Sequence, residues 1–129
     1  MGSLFSFSSI FFKNIRVFDN KHLDLFLRRI NQEMIKQALE LGYYISFAGP
    51  ITFKNSKNAP AIIDMVPLDK MLIETDSPYL SPEPHRGQRN DCRNVKYVAQ
   101  KIADLKGISL EEIAKQTYEN AMKIFEIEK

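Results

Sequence analysis

The sequence predicts an α/β protein built on a parallel sheet, and two observations support this prediction. From Asn31 onward, segments with helical spacing of apolar residues alternate with short β-rich segments, which is the pattern of a parallel sheet. The second β-rich segment ends in carboxylates, because residues 71–80 read MLIETDSPYL. Parallel sheets present catalytic and metal-binding groups at the carboxyl ends of their strands. We therefore expect the functional site at the end of the strand that carries Asp76.

The segments of this alternation can be placed in order along the chain. Apolar residues at helical spacing predict a first helix, and Gly42 follows as its C-terminal cap. Residues 43–48 are β-rich and predict a strand that Gly49 terminates. Residues 59–65 then predict a short helix, and residues 68–75 predict the next strand.

Two helices are predicted to close the chain. Asn94 can cap a helix that runs to Lys106, and Gly107 ends it. Ser109 can cap the last helix, with Glu112 three positions later completing a capping box. The apolar stripe of this helix is typical of a face packed against a sheet, although a groove for a partner is the alternative.

The loop after the second predicted strand carries cationic side chains. Residues 81–90 read SPEPHRGQRN, which adds His85, Arg86 and Arg89 to the carboxylate of Asp76. A guanidinium offers a fork of donors that matches phosphate oxygens, so this set is suited to phosphate binding. A solvated loop held by its prolines is the alternative interpretation.

The composition is that of an ordinary globular protein of one modest domain. The chain has 129 residues, 44% of them hydrophobic and 26% charged, and a formal net charge of +2. Because this charge is small, any nucleic-acid contact must come from local clustering, as at Arg86, Arg89 and Arg93. The single cysteine, Cys92, forms no internal disulfide, which predicts a reducing, cytoplasmic setting. No apolar stretch approaches the ~20 residues that span a bilayer, so we expect no membrane partner.

Several motifs, in order along the chain, resemble one known family. The segments that resemble TatD-family metal-dependent deoxyribonucleases are GYYISFAGP at 42–50, IETDSPYL at 73–80, PHRG at 84–87, the pair Arg89-Asn90, and TYENA at 117–121. The resemblance is to the C-terminal portion of the family and covers roughly residues 31–125. It departs from the family at Asp91 and Cys92, where the family usually has Glu-Pro.

The resemblance implies a partial TIM (β/α)8 barrel, comprising the last two strands plus the closing helices, with the N-terminal half absent. A complete barrel takes ~250 residues. Residues 31–129 are accordingly expected to form the C-terminal part of a TatD-like barrel domain, and residues 1–30 an unmatched segment that is irregular or disordered. Within that segment the pattern allows a strand at residues 5–9 and a helix at residues 22–30. One hypothesis for its origin is an out-of-frame reading of a once-complete gene.

The resemblance also implies roles for individual residues. Asp76 would be the catalytic aspartate and a ligand of a divalent metal ion (Zn, Mg or Mn), while His85 and Arg86 would bind the substrate, DNA. The family's other ligands are a glutamate and several histidines, two of them in a His-x-His pair, but this chain has two histidines in all, His22 and His85. We therefore expect the metal to be weakly held or absent, and the chain to be an inactive fragment of a phosphodiester hydrolase when alone.

Alternative interpretations concern both the site and the function. Asp76 is also a common type of turn residue, and Glu74 is either an outer partner of the site or the partner of a barrel lysine. The chain as a whole is alternatively a non-catalytic remnant that binds a protein partner, or a second copy of itself, through exposed barrel edges. A third interpretation is a related amidohydrolase-type enzyme that acts on a small substrate.

Overall fold

The computed structural model of the chain describes residues 15–16 and 32–128. The strand expected at residues 5–9 and the helix expected at 22–30, with His22, lie outside these residues. The helices and strands are, in chain order, β1 (Ile15–Arg16), α1 (Gln32–Glu40), β2 (Tyr44–Phe47), α2 (Ala59–Met65), β3 (Met71–Ile73), α3 (Val95–Lys106) and α4 (Leu110–Ile124). This content confirms the predicted α/β class.

Three parallel strands form the sheet in the order β1-β2-β3. In β2, Tyr44 pairs with Ile15 of β1, and Ile45 pairs with Met71 of β3. β1 is a strand that the sequence did not predict. Because neighbouring strands are parallel, the carboxyl ends of β2 and β3 lie at the same edge of the sheet, and so do the loops that follow them.

Both faces of β2 are covered, and all four of its residues are buried. Phe47 is 1% exposed and lies in the main core with side chains from all four helices. Tyr44 and Leu72 pack together on the opposite face, against the C-terminal part of α4. Full burial of one phenylalanine side chain contributes about 1.5–3 kcal/mol, so the aromatic residues of β2 stabilise the sheet.

The helix ends follow the sequence signals with one exception. Gly107 has φ 69° and ends α3, as predicted, and the Oγ of Ser109 accepts a hydrogen bond from the Glu112 N–H at the start of α4. Asn94 stands at the N-cap position of α3, as predicted, but its side chain makes no capping hydrogen bond. The Asn94 side chain instead donates to Asn90 Oδ1 at 2.9 Å, and Asp91 caps the 3-10 helix (Cys92–Asn94) that precedes α3.

The strand predicted at residues 68–75 is shorter in the structure. Leu68–Lys70 forms a 3-10 helix, β3 occupies Met71–Ile73, and the Glu74 N–H adds one more hydrogen bond to Phe47 O at 2.9 Å. The pairing of β3 with β2 begins at Met71, and not at Leu68, because the Lys70 N–H donates to Pro67 O at 3.0 Å and closes a turn there. As a result Asp76 lies on the loop, three residues beyond the end of β3, and not at the strand tip.

A buried amide ties α4 to the beginning of β3. The Nδ2 of Asn120 donates to Leu68 O at 2.7 Å and to Met71 O at 2.8 Å, and its Oδ1 accepts from Gln116 Nε2 at 2.9 Å. The side chain is 4% exposed, so these bonds replace water that cannot reach the carbonyl groups. Asn120 therefore determines where the last helix crosses the start of β3.

Two further predictions concern contact with a membrane and contact with a protein partner. Across the described residues, no helix has the length and apolar character needed to cross a bilayer. Binding of a protein partner or a second copy through barrel edges stays a prediction. β3 is the terminal strand in the described sheet order, which is consistent with it.

Replacing Asn120 with aspartate should destabilise the fold. In Asn120→Asp an oxygen takes the place of Nδ2 and faces two carbonyl oxygens without a donor between them. We expect the free energy of unfolding to fall by about 2–4 kcal/mol at pH 7, measured by urea denaturation.

Asn55→Asp is the matched control, because it makes the same chemical change at an exposed turn residue. Its effect should stay within about 0.5 kcal/mol. Equal effects at the two positions would contradict a special structural role for the Asn120 amide.

Candidate functional site

The candidate site is formed by the loops that follow β2 and β3. β2 is followed by a 3-10 helix, Gly49–Thr52, and then by the loop of residues 53–58. β3 is followed by the long loop of residues 74–91. The Glu83 N–H donates to Thr52 Oγ1 at 2.9 Å, which joins the two loops directly.

Glycine is required where these loops come closest. A Cβ atom at Gly49 would overlap the carbonyl oxygen of Leu80 and lie 3.2 Å from Pro82 N. Both of those neighbours are backbone atoms, so a flexible side chain cannot move aside to make room. The absence of a side chain at Gly49 therefore allows the loop after β3 to pack against the carboxyl end of β2.

Asp76 lies at the beginning of the loop after β3. It is partly buried, and its carbonyl oxygen accepts the Tyr79 N–H at 2.9 Å, which closes a turn that contains a cis Ser77-Pro78 bond. Beside it, the Ser77 hydroxyl donates to Thr75 Oγ1 at 3.0 Å. The sequence therefore placed Asp76 correctly at the carboxyl end of the sheet, although on a turn and not on a strand.

Glu74 is the second carboxylate of the site, and its environment is unusual. It accepts a hydrogen bond from the hydroxyl of Ser46, a buried residue of β2. Burial raises the pKa of Glu74 to about 7, the Ser46 hydrogen bond opposes that rise, and the negative charge of Asp76 adds to it. A substantial fraction of Glu74 is therefore neutral at physiological pH, and a hydroxyl of β2 provides a partner where a lysine had been considered.

Asn90 holds the turn after Asp76 in place. Its N–H donates to Pro78 O at 3.0 Å, and its Nδ2 donates to Tyr79 O at 2.9 Å. Its Oδ1 accepts from Asn94 at the start of α3, and the residue is 3% exposed. The sequence singled out Asn90 only as part of a motif. The sequence signal that could have revealed its role is an asparagine three residues after a glycine, Gly87, and four before another asparagine, Asn94.

His85 is attached to α3. Its Nε2 lies 3.0 Å from the Tyr97 hydroxyl, its Nδ1 lies 3.2 Å from Gln88 Oε1, and its ring meets the Tyr97 ring edge-on at 5.1 Å. Because Gln88 Oε1 can only accept a hydrogen bond, Nδ1 is the donor in that contact. The contacts seen here give His85 a structural role in the loop, and direct substrate binding by His85 stays a prediction.

Arg86 is exposed and stacked on the neighbouring loop. Its guanidinium carbon lies 4.0 Å from the centre of the Phe53 ring, and the exposed Lys54 and Lys57 follow Phe53 on that loop. Stacking uses the face of the guanidinium and leaves the N–H groups at its edge suited to an anion. The contact between Arg86 and Phe53 is thus a second link between the two loops. Positive charge is concentrated there, because Arg86 lies on one loop and Lys54 and Lys57 lie on the other.

Of the three arginines expected to cluster, Arg93 has a different partner. Its Nε and Nη2 each lie 3.1 Å from the carboxylate of Asp91. These hydrogen bonds, with the positive charge of Arg93, hold the pKa of Asp91 below its usual range. Arg86 and Arg89 are the exposed arginines of the loop that remain for phosphate binding.

The predicted metal site is incomplete in the described part of the chain. Within residues 15–16 and 32–128, no three His, Cys, Asp or Glu side chains are grouped so that they could hold a metal ion. Asp76 has Glu74 near it, but His85 is bound to Tyr97 and Cys92 is an exposed thiol. These residues alone do not fit a divalent cation, and the role of Asp76 as a ligand stays a prediction.

The chain is similar to known proteins over about three quarters of its length. The profile described as TatD related DNase matches residues 29–126. The uncharacterized metal-dependent hydrolase YabD of Bacillus subtilis is 47% identical over 95 residues, which are 74% of this chain and 37% of that protein. The uncharacterized metal-dependent hydrolase YcfH of Escherichia coli K12 is 45% identical over 98 residues, which are 76% of this chain and 37% of that protein.

Solved structures share the fold. YJJV, a TatD homolog from Escherichia coli K12, superposes with a TM-score of 0.69 and 26% identity over 76% of this chain and 38% of that one. A TatD family hydrolase from Entamoeba histolytica superposes with a TM-score of 0.71 and 20% identity over 95% of this chain and 46% of that one, a similarity of fold alone. The chain spans little more than a third of the curated relatives' length, and its place in a closed barrel stays a prediction.

The raised pKa of Glu74 has a testable effect on stability. The folded state holds the Glu74 proton up to about pH 7, whereas the unfolded chain releases it near 4.5. Between these values the folded state binds more protons, so the contribution of Glu74 to stability falls as pH rises. We therefore expect the free energy of unfolding of Glu74→Gln, relative to that of the native chain, to rise by about 1–3 kcal/mol from pH 5 to pH 8. Urea denaturation in EDTA at the two pH values measures this difference.

Glu119→Gln supplies the control, because Glu119 is exposed on α4 and the chemical change is the same. Its stability relative to the native chain should not vary with pH. A Glu74→Gln difference that is the same at both pH values would show that the carboxyl group titrates normally.

Proposed function

This chain belongs to the TatD-related DNase family, and on that premise we propose that it is the C-terminal part of a metal-dependent hydrolase that cleaves phosphodiester bonds in DNA. Relatives that carry the name metal-dependent hydrolase support the reaction class and a divalent cofactor. The matched region includes the whole loop of residues 74–91. A related amidohydrolase-type enzyme that acts on a small substrate stays the alternative.

One observation carries the proposal: a carboxylate and a braced guanidinium share one loop at the carboxyl end of a parallel sheet. Asp76 begins this loop, and Arg86 projects from it with its guanidinium 4.0 Å from the Phe53 ring. A phosphodiester needs a cation for its non-bridging oxygens and a carboxylate site at the reacting centre. The loops after β2 and β3 together offer both groups.

Each predicted site residue has a defined task in this proposal. Asp76 is the catalytic carboxylate and supplies one ligand to the divalent ion. Arg86 binds phosphate through its N–H groups, which the Phe53 stack keeps in place. His85 maintains the shape of the substrate loop through Tyr97 and Gln88, so its effect on the substrate is exerted through Arg86.

The chain by itself should be a poor metal site and should not hydrolyse DNA. The whole sequence holds two histidines, and the described residues form no cluster of three metal-binding side chains. Further ligands must therefore come from outside the residues that the structure describes. We place the protein in a reducing, cytoplasmic compartment because its one cysteine is a free, exposed thiol.

Metal binding tests the assignment of Asp76. Electron paramagnetic resonance of Mn²⁺ should report a dissociation constant on the order of 1 mM for the native chain, because one carboxylate and few partners hold a hard cation weakly. Asp76→Asn should raise that constant about tenfold, while Asp64→Asn, at an exposed position of α2, should not. Metal retained stoichiometrically through desalting by the Asp76→Asn variant would contradict the assignment.

Salt dependence tests the role of Arg86. Binding of a fluorescent single-stranded oligonucleotide should weaken in Arg86→Gln, and the slope of log K against log salt should shrink by about 0.7, the value for one lost phosphate contact. Lys115→Gln removes one charge from an exposed position of α4 and should leave the slope unchanged. A normal slope in Arg86→Gln would exclude a phosphate contact at this residue.

A further inference from the structure

Tyr79 presents a large exposed ring close to Asp76. The residue is 67% exposed, and it stands three positions after Asp76 on the turn that opens the loop. Its N–H donates to Asp76 O at 2.9 Å, and its carbonyl oxygen accepts from Asn90 Nδ2 at 2.9 Å. Hydrogen bonds on both sides thus hold the backbone of Tyr79, while its ring remains in solvent.

This arrangement differs from that of an ordinary exposed aromatic residue. The group that holds Tyr79 is the amide of Asn90, which is 3% exposed and is itself held by Asn94. The next residue, Leu80, has φ 51°, so the chain turns sharply away beyond the ring. A tyrosine on a fixed backbone offers a wide contact surface, and because its side chain has only two rotatable χ angles it loses little conformational entropy when a ligand covers it.

An arginine on the neighbouring backbone segment indicates which ligand would fit. Arg89 is exposed and immediately precedes Asn90, whose N–H is bonded to Pro78 O at 3.0 Å. The backbone of Arg89 therefore lies next to the turn that carries Tyr79. A planar ring and a cation at adjacent backbone positions match a nucleotide, which combines a flat base with a phosphate.

We propose that Tyr79 binds a nucleobase of single-stranded DNA by stacking, next to the phosphate that the arginines of the same loop contact. This inference rests on the proposed function and adds the group that recognises the base. Stacking of this kind accepts every base, because each has a π face, so Tyr79 would favour an unpaired strand without selecting a sequence. Tyr79 would therefore determine the preference for single-stranded over double-stranded DNA. The phosphate contacts of the arginines do not depend on it.

The chain offers a direct spectroscopic test because it contains no tryptophan. In Tyr79→Trp the only indole stands at the proposed stacking position. Adding a single-stranded pentathymidylate in EDTA should quench its fluorescence, whereas an abasic strand of equal length and charge should quench it little. Tyr118→Trp places the indole at an exposed position of α4, 56% exposed in the native chain, and should not respond to either strand.

Affinities measured by anisotropy on the native background complete the test. Tyr79→Ala should weaken binding of the pentathymidylate about 5- to 150-fold and leave binding of the abasic strand unchanged, and Tyr79→Phe should retain the native affinity for both. Because the side chain is exposed, Tyr79→Ala is expected to fold normally, and equal abasic binding would confirm that its loop is intact.

The outcomes separate this inference from the proposed function. Tighter binding of the base-containing strand that is lost in Tyr79→Ala supports stacking, even if no hydrolysis is found with any metal. Equal binding of the two strands by the native chain overturns stacking while phosphate binding stands. Failure of both strands to bind overturns stacking and phosphate binding together, and equal quenching at positions 79 and 118 overturns stacking.

Discussion

Hydrogen bonds from buried asparagine amides to backbone carbonyl groups determine how this chain is arranged around its sheet. Asn90 holds the turn after Asp76 against the start of α3, and Asn120 holds α4 against the start of β3. The carbonyl groups that accept these bonds belong to the turn after Asp76, to the 3-10 helix at Leu68 and to Met71, the first residue of β3. The side-chain amides supply donors to these backbone groups, and the position of the site follows from them.

Most of the regular structure could be predicted because its signals are local. Helix α2 has the predicted bounds, and Gly107 and Ser109 mark the ends of α3 and α4 through the chemistry of caps. The errors occur where residues outside a predicted segment compete for its polar groups. The side chain of Asn94 bonds to Asn90 and not to its own helix. The predicted strand before Glu74 loses its first residues to a 3-10 turn whose Leu68 carbonyl bonds to Asn120, 52 positions away.

The sequence located the loop that carries the candidate site residues, but it did not reveal what surrounds them. Family membership is confirmed by the match over residues 29–126, whereas the roles of Asp76 and Arg86 stay predictions. The raised pKa of Glu74 depends on burial and on Ser46, 28 positions earlier, and the support of Arg86 comes from Phe53 on another loop. Periodicity and spacing do not contain such contacts, because they form only when the loops after β2 and β3 come together.

The close approach at Gly49 has a consequence for anyone who would transplant this site. The backbones of the two loops touch there with no side chain between them. Neither loop would therefore keep its shape in a host protein that lacks the other loop. A graft onto a different parallel sheet must therefore transfer both loops together, with Gly49 and with the spacing between β2 and β3 preserved.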